Sequence, residues 1–158
     1  MKNYKINFML IGILLLASCS TSKVTTESIQ ALNKKIESKN YTIGVQYAYP
    51  LRGKQIYLNA NYELKIKNDS AFAFLPYFGV AYTAPYSSTE GGIKFSEPMM
   101  DYKAQINQKK KCWEISFKVN TTFYNYNFDM NIFDNGKVSF TVISNQRDPI
   151  SFSGEIKN

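Results

Sequence analysis

From Tyr41 to the C-terminus the chain alternates apolar and polar residues with period two. Tyr41, Ile43, Val45, Tyr47 and Tyr49 fall on one parity. Tyr62, Leu64 and Ile66 alternate with Glu63, Lys65 and Lys67. Trp113, Ile115, Phe117 and Val119 alternate with Glu114, Ser116, Lys118 and Asn120. The same beat runs through Tyr124 to Ile132, Val138 to Val142 and Ile150 to Ile156, with Gly154 in step. Half-wet antiparallel strands have this pattern, whereas strands buried on both faces are apolar throughout. Upstream, Ile29, Leu32 and Ile36 recur at helical spacing, which predicts one short helix over 26–38.

Parity also constrains the hairpins, because residues directly opposite in an antiparallel pair share a face. A two-residue Asn135-Gly136 turn would set Ile132 against Ser139. A three-residue loop instead pairs Ile132 with Val138, Met130 with Phe140 and Phe128 with Val142, and places Gly136 in a left-handed bulge. The same reasoning predicts Val119 opposite Tyr124, Ile106 opposite Trp113, Ile66 opposite Phe72, Leu58 opposite Tyr62, and Val142 opposite Ile150. The result is an all-β antiparallel meander of about nine strands with one short N-terminal helix. A segment from Leu75 to Pro98 breaks it into four strands and five. Such strands cover their apolar face as a sandwich or a flattened barrel, and the pattern does not separate the two.

The first residues have a different logic. Lys2 and Lys5 precede an apolar run from Phe8 to Ala17. As a helix these ten residues rise about 15 Å, against about 30 Å of hydrocarbon, so the run has the dimensions of a secretory leader and not of a span. Leu16-Ala17-Ser18-Cys19 resembles the bacterial lipobox. That resemblance implies cleavage before Cys19 and acylation of its sulfur and amine, and two or more acyl chains anchor a protein stably. The expected organisation is a signal peptide over 1–18, a lipidated tether over 19–28 and a single β-rich domain over 29–158. Ser20 after the cysteine favours the outer membrane, and the lack of an acidic cluster there favours the periplasmic face.

The chain has 158 residues, 12 Tyr, 11 Phe, one Trp and no His. Without histidine there is no Ser-His or Cys-His nucleophilic pair and no His-ligated metal. Two cysteines, Cys19 and Cys112, exclude a disulfide framework or a Cys-rich zinc site. Cys112 is expected to pack as a small apolar residue. Loss of Lys2 and Lys5 takes the formal charge from +7 to +5. The run Lys109-Lys110-Lys111 falls in a turn, and nucleic acid is not an expected partner. No calcium loop or phosphate loop is present. Ser20 and Lys23 have Ser-Lys spacing but sit in the tether. Arg147-Asp148-Pro149 is expected to be a turn whose charges pair locally. Asp69-Ser70-Ala71 resembles an O-glycosylation acceptor, with Ser70 in an exposed turn. No metal site, no catalytic residue and no cofactor is expected.

The most distinctive text is Leu75-Pro76-Tyr77-Phe78-Gly79-Val80-Ala81-Tyr82-Thr83-Ala84-Pro85-Tyr86, followed by Gly91-Gly92-Ile93-Lys94-Phe95. Together with Tyr57–Leu64, the Trp113 strand, Gly136 and the end Ser151–Ile156, it resembles domain-of-unknown-function family 4251, a group of bacterial secreted proteins and lipoproteins. The resemblance implies one envelope domain and carries no activity. Long loops are often functional. Tyr77, Phe78, Tyr82 and Tyr86 are therefore the candidate binding lip for a glycan, a lipid or an envelope protein, the alternative being that they fold over and plug an open end of the sheets. The expected function is a lipid-anchored, non-enzymatic binding or structural module. The alternatives are a lipid or glycan carrier with an apolar cavity, or a hydrolase working with carboxylates alone.

Overall fold

In the computed structural model, which describes residues 25–82 and 91–157, the chain is one antiparallel sheet wrapped around a single core, with one helix. Helix α1 (Thr26–Glu37) starts at Thr25, whose side chain accepts the Ser28 amide while the Ser28 hydroxyl receives the Thr25 amide. This reciprocal cap satisfies two donors that the first turn leaves open. Lys34 and Lys35 sit in the last turn, where they complement the helix dipole. Leu32 and Ile36 are its buried face, each contributing about 1.5–3 kcal/mol on burial.

Ten strand segments follow: β1 (Asn40–Pro50), β2 (Ile56–Tyr57), β3 (Glu63–Lys67), β4 (Ser70–Leu75), β5 (Ile93–Pro98), β6 (Met100–Asn107), β7 (Cys112–Asn120), β8 (Asn125–Phe133), β9 (Lys137–Ser144) and β10 (Ile150–Ile156). Their order in the sheet is β5-β4-β3-β1-β10-β9-β8-β7-β6, with β2 also on β1. The first strand pairs with the last, Ile43 opposite Ile156 and Ala48 opposite Phe152. The two edges, β5 and β6, are joined by Met99 alone. They form one long strand that bends where Asp101 takes a left-handed φ of 54° and the register shifts between Met100 and Lys103. Its first half pairs with β4 and its second with β7. A strand that bends from one partner to another is how a sheet turns a corner. It brings the edges together into a nearly closed barrel, which settles the question the alternation left open.

The interior is aromatic. Phe117 and Phe128 stack at 4.7 Å, Phe140 and Phe152 at 5.2 Å, and Phe95 from the bent strand stacks on Tyr126 at 5.7 Å. These rings fill the space that a carrier barrel would leave open.

Several registers match the parity argument. Ile132 faces Val138, Met130 faces Phe140, Phe128 faces Val142, and Gly136 has a φ of +78°. Ile106 faces Trp113, and Val142 faces Ile150. Others differ, each for a local reason. Val119 faces Tyr126 and not Tyr124, because Thr121 closes a turn over 121–124 through its hydroxyl and the Tyr124 amide, 3.0 Å apart. Ile66 faces Ala71 and not Phe72. Asn68 adopts φ 55°, which lets Asn68-Asp69 make a two-residue turn, as Asn does readily. Ala71 and Ala73 therefore point inward, and Phe72 and Phe74 outward. Leu58 and Tyr62 do not form a hairpin. β2 and β3 both lie along β1, end to end, with Tyr57 opposite Tyr47 and Leu64 opposite Ile43. Gln46 is an extra residue in β1, between Val45 and Tyr47. This bulge turns Ala48 into the core and sends Tyr49 out. Residues 93–98, read as part of the long loop, are strand β5.

Candidate functional site

The two ends of the barrel differ. Helix α1 packs across one end. There Trp113 Nε1 donates to Asn33 Oδ1 at 2.8 Å, and Lys39 Nζ, just past the helix, pairs with Asp69 at 2.8 Å and lies 4.9 Å from the Tyr102 ring centroid. The turns between β3 and β4, between β6 and β7 and between β8 and β9 gather at this end. The opposite end carries the β1–β2 turn, the chain leaving Leu75, the 121–124 turn and the β9–β10 loop.

At that far end, Pro76–Tyr82 lies along 146–148 like a short extra strand. The Tyr82 amide donates to Gln146 O at 2.8 Å, the Asp148 amide donates to Val80 O at 3.0 Å, and Ala81 bridges to Arg147. The Tyr77 hydroxyl sits 3.0 Å from Val80 O and 3.1 Å from Asp148 O. The Tyr82 hydroxyl donates to Asp148 Oδ1, and the Val80 amide reaches Oδ2 at 3.4 Å. Asp148 is thus a buried clamp for the loop.

Arg147 and Asp148 do not pair locally, contrary to the expectation for this turn. Their side chains serve different neighbours. Arg147 is only 6% exposed. Its Nη1 donates to Gly92 O at 3.1 Å and its Nη2 to the Tyr124 hydroxyl at 2.6 Å. The guanidinium lies 3.9 Å from the Tyr124 ring centroid and 5.0 Å from that of Tyr77, within the range of cation–π attraction.

These contacts move the titrations. Donation from the Tyr82 hydroxyl, then the Val80 amide and the Arg52 charge, hold the Asp148 carboxyl below its ordinary value despite some desolvation. The same hydrogen bond pushes the Tyr82 phenol up. Burial, and then the Asp148 charge, raise Tyr77. Burial takes Tyr126 up to about 12, against a small opposing effect of Arg147. A carboxylate with a depressed folded value stabilises the folded arrangement above its unfolded value near ~3.9, and that contribution disappears as pH falls through the folded value. The loop is therefore expected to loosen on acidification below about pH 4. Amide shifts of Val80 and Tyr82 followed by NMR check this, and Asp148→Asn should remove the acid transition at those amides.

Of the four aromatics singled out in the loop, Tyr77 and Tyr82 meet on Asp148, and Phe78 is exposed beside them. Tyr86 lies outside the described residues, as do Cys19, Ser20 and Lys23. Ser70 is not an exposed turn residue. It opens β4, half-buried, paired with Lys67 and Pro98. Cys112 is buried, with its thiol 3.9 Å from Asn131 Oδ1 and its pKa raised chiefly by burial, as suits a packing residue. Lys110 of the lysine run pairs with Glu114 at 2.9 Å. Among the described residues no cluster of three metal-ligating side chains occurs. The sequence pattern does not show the role of Arg147, because its neighbours come from positions 77, 92 and 124, which the nearly closed barrel brings together.

The sequence profile of the domain of unknown function DUF4251 matches residues 23–156. A crystal structure of a DUF4251 family protein from Bacteroides eggerthii DSM 20697 superposes with a TM-score of 0.62 at 12% identity, covering 82% of this chain and 86% of that one. At that identity the likeness concerns the fold. No curated protein matches the chain.

Proposed function

Since the chain belongs to the DUF4251 family, whose name assigns no activity, its function must be read from its own surface, and we propose that it is a lipid-anchored envelope module that binds a partner through the helix-free end of its barrel. One observation carries this reading. Among the described residues, the large apolar side chains left exposed in loops are Leu51, Phe78, Val80, Tyr82 and Phe123, all at that end, while the others, such as Tyr57 and Ile106, lie on strands. Soluble proteins rarely leave apolar side chains gathered in this way unless the surface is used.

The anchor reading fits this polarity. The acylated residue would be Cys19, and the described residues begin at Thr25, the cap of α1. Six residues span at most about 20 Å. The helix end would then face the outer membrane, and the apolar loops would point away from it into the periplasm. The aromatic rings that pack the middle of the barrel favour binding at its end over a carrier cavity through its centre. Glu63, Asp69, Asp101 and Glu114 each pair with a lysine on the outer surface, which favours binding over hydrolysis by paired carboxylates.

Two measurements test the proposal. Metabolic labelling with palmitate should mark the native protein and not Cys19→Ala, and an unlabelled protein released from cells would refute the anchor. Leu51→Ser with Phe123→Ser should leave the unfolding midpoint nearly unchanged and abolish co-purification of the native membrane partner, whereas Ile143→Ser, on the barrel side, should retain it. Equal retention by both variants would refute the assignment of the binding end.

A further inference from the structure

We propose that Arg147 is the anion-recognising element of a small-molecule site in the same end of the barrel, one that takes a compact monocarboxylate with a flat apolar body. The inference rests on the reading of this end as the binding end and names the chemistry of one ligand class.

The reason to look here is an unbalanced charge. A buried guanidinium ordinarily has a carboxylate against it, because an unpaired buried charge is costly. Arg147 has none. The ion pairs among the described residues are Lys39–Asp69, Lys110–Glu114, Lys118–Asp101 and Lys157–Glu63, and Arg147 is in none of them. The adjacent carboxylate, Asp148, is turned to Tyr82 and Val80. The two hydrogen-bond acceptors that Arg147 has, Gly92 O and the Tyr124 hydroxyl, are neutral. Its Nε has no hydrogen-bond partner among the described residues. Buried polar groups are nearly always satisfied, so such an exception calls for an explanation.

The same side chain borders a cavity. Arg147 forms part of the wall of a space of about 290 Å³ between β5 and the 121–124 turn. Phe95, Phe123, Tyr124 and Tyr126 give it aromatic faces, and Thr122 gives it a hydroxyl, that of Thr121 being engaged by the Tyr124 backbone. The volume is at the small end of ligand pockets, and a few polar groups on an aromatic lining are their usual chemistry. A guanidinium recognises a carboxylate through charge-assisted hydrogen bonds. Glu97 and Lys94 also border the space. The carboxylate of Glu97 opposes every anionic guest and a doubly charged one most, so a monocarboxylate is the anion this wall tolerates best. The phenols of Tyr124 and Tyr126 suit the edge and face of a small ring.

The test uses 15N-labelled protein and benzoate as probe, with benzamide as the neutral counterpart and chloride as the ionic-strength control. The buried Arg147 Nε–H gives its own resonance. Benzoate should shift it, and the Gly92 amide, along a saturable curve, while benzamide and chloride leave both in place. Arg147→Met should abolish the response at Gly92. Because the guanidinium also packs between two tyrosines, that variant puts the fold itself at risk, and Thr122→Glu provides a second handle. Thr122 is exposed and makes no side-chain hydrogen bond among the described residues. A carboxylate there should weaken benzoate at least tenfold with the fold intact. No saturable shift, an equal response to benzamide, or undiminished binding in Thr122→Glu would overturn the proposal. Benzoate binding that fails while partner retention still maps to Leu51 and Phe123 removes this site and leaves the binding end. The converse removes partner docking and leaves the site.

Discussion

Phe128→Ala is expected to cost about 3–5 kcal/mol, the range for removing a buried aromatic from a core that cannot collapse around the gap. Phe128 is central to the ring stack. It lies parallel to Phe117 at 4.7 Å with an interplanar angle of 5°, meets Phe95 edge-on at 5.8 Å, and reaches Phe140 at 6.5 Å. Those partners sit on β7, β5 and β9, so the lost ring leaves surfaces on three staves that the hydrogen-bonded ladders hold apart. Phe95 is also the contact by which the bent strand closes on β8. The variant should therefore lose cooperativity in urea as well as midpoint, with β5 exchanging its amides first. Phe74→Ala is the control, because Phe74 is half-exposed on the outer face, where it stacks on Tyr62 at 5.2 Å and lies under the Lys94 ammonium at 5.3 Å. It should cost about 1 kcal/mol.

Gly154→Ala should be almost as damaging for a different reason. A Cβ on Gly154 would stand 2.0 Å from the Gly44 carbonyl oxygen and 3.0 Å from Val45 Cα. Both are backbone atoms of β1, beside the Gln46 bulge and in the ladder that joins first strand to last. No rotamer relieves such a clash, so the β1–β10 seam must separate locally. Overpacking costs about 1–3 kcal/mol where side chains can move, and about 3 kcal/mol or more is expected here. The unfolding midpoint measures it. Gly91→Ala, where an added Cβ meets nothing within 4 Å, should change stability by no more than about 0.5 kcal/mol.

The contrast between the seams explains what the chain's pattern could reveal. Alternation reports parity. It therefore placed Ile132, Met130 and Phe128 on the inner face without help from tertiary structure, and the Gly136 turn then left one register. A slip of two residues preserves parity, so nothing in the alternation separated Val119–Tyr124 from the observed Val119–Tyr126. The Thr121 hydroxyl decides that case. A slip of one should be visible, yet Ile66 opposite Phe72 looked better than Ile66 opposite Ala71, because two alanines are weak evidence for an inner face. The bulge at Gln46 and the bend at Met99–Asp101 insert residues against the beat, and they are what curve the sheet and close it. The site suffered most. Tyr77 and Tyr82 are legible as aromatics on a long loop, but their shared partner Asp148 stands 71 and 66 positions away, and the guanidinium of Arg147 meets Gly92 and Tyr124 across 55 and 23.

Photocrosslinking in intact envelopes tests the binding end most directly. A photoreactive amino acid at position 51 or 123 should give one discrete adduct in the membrane fraction, while the same group at position 106 or 143 should give none. Adducts from 106 and 143 with silence at 51 and 123 would contradict the account.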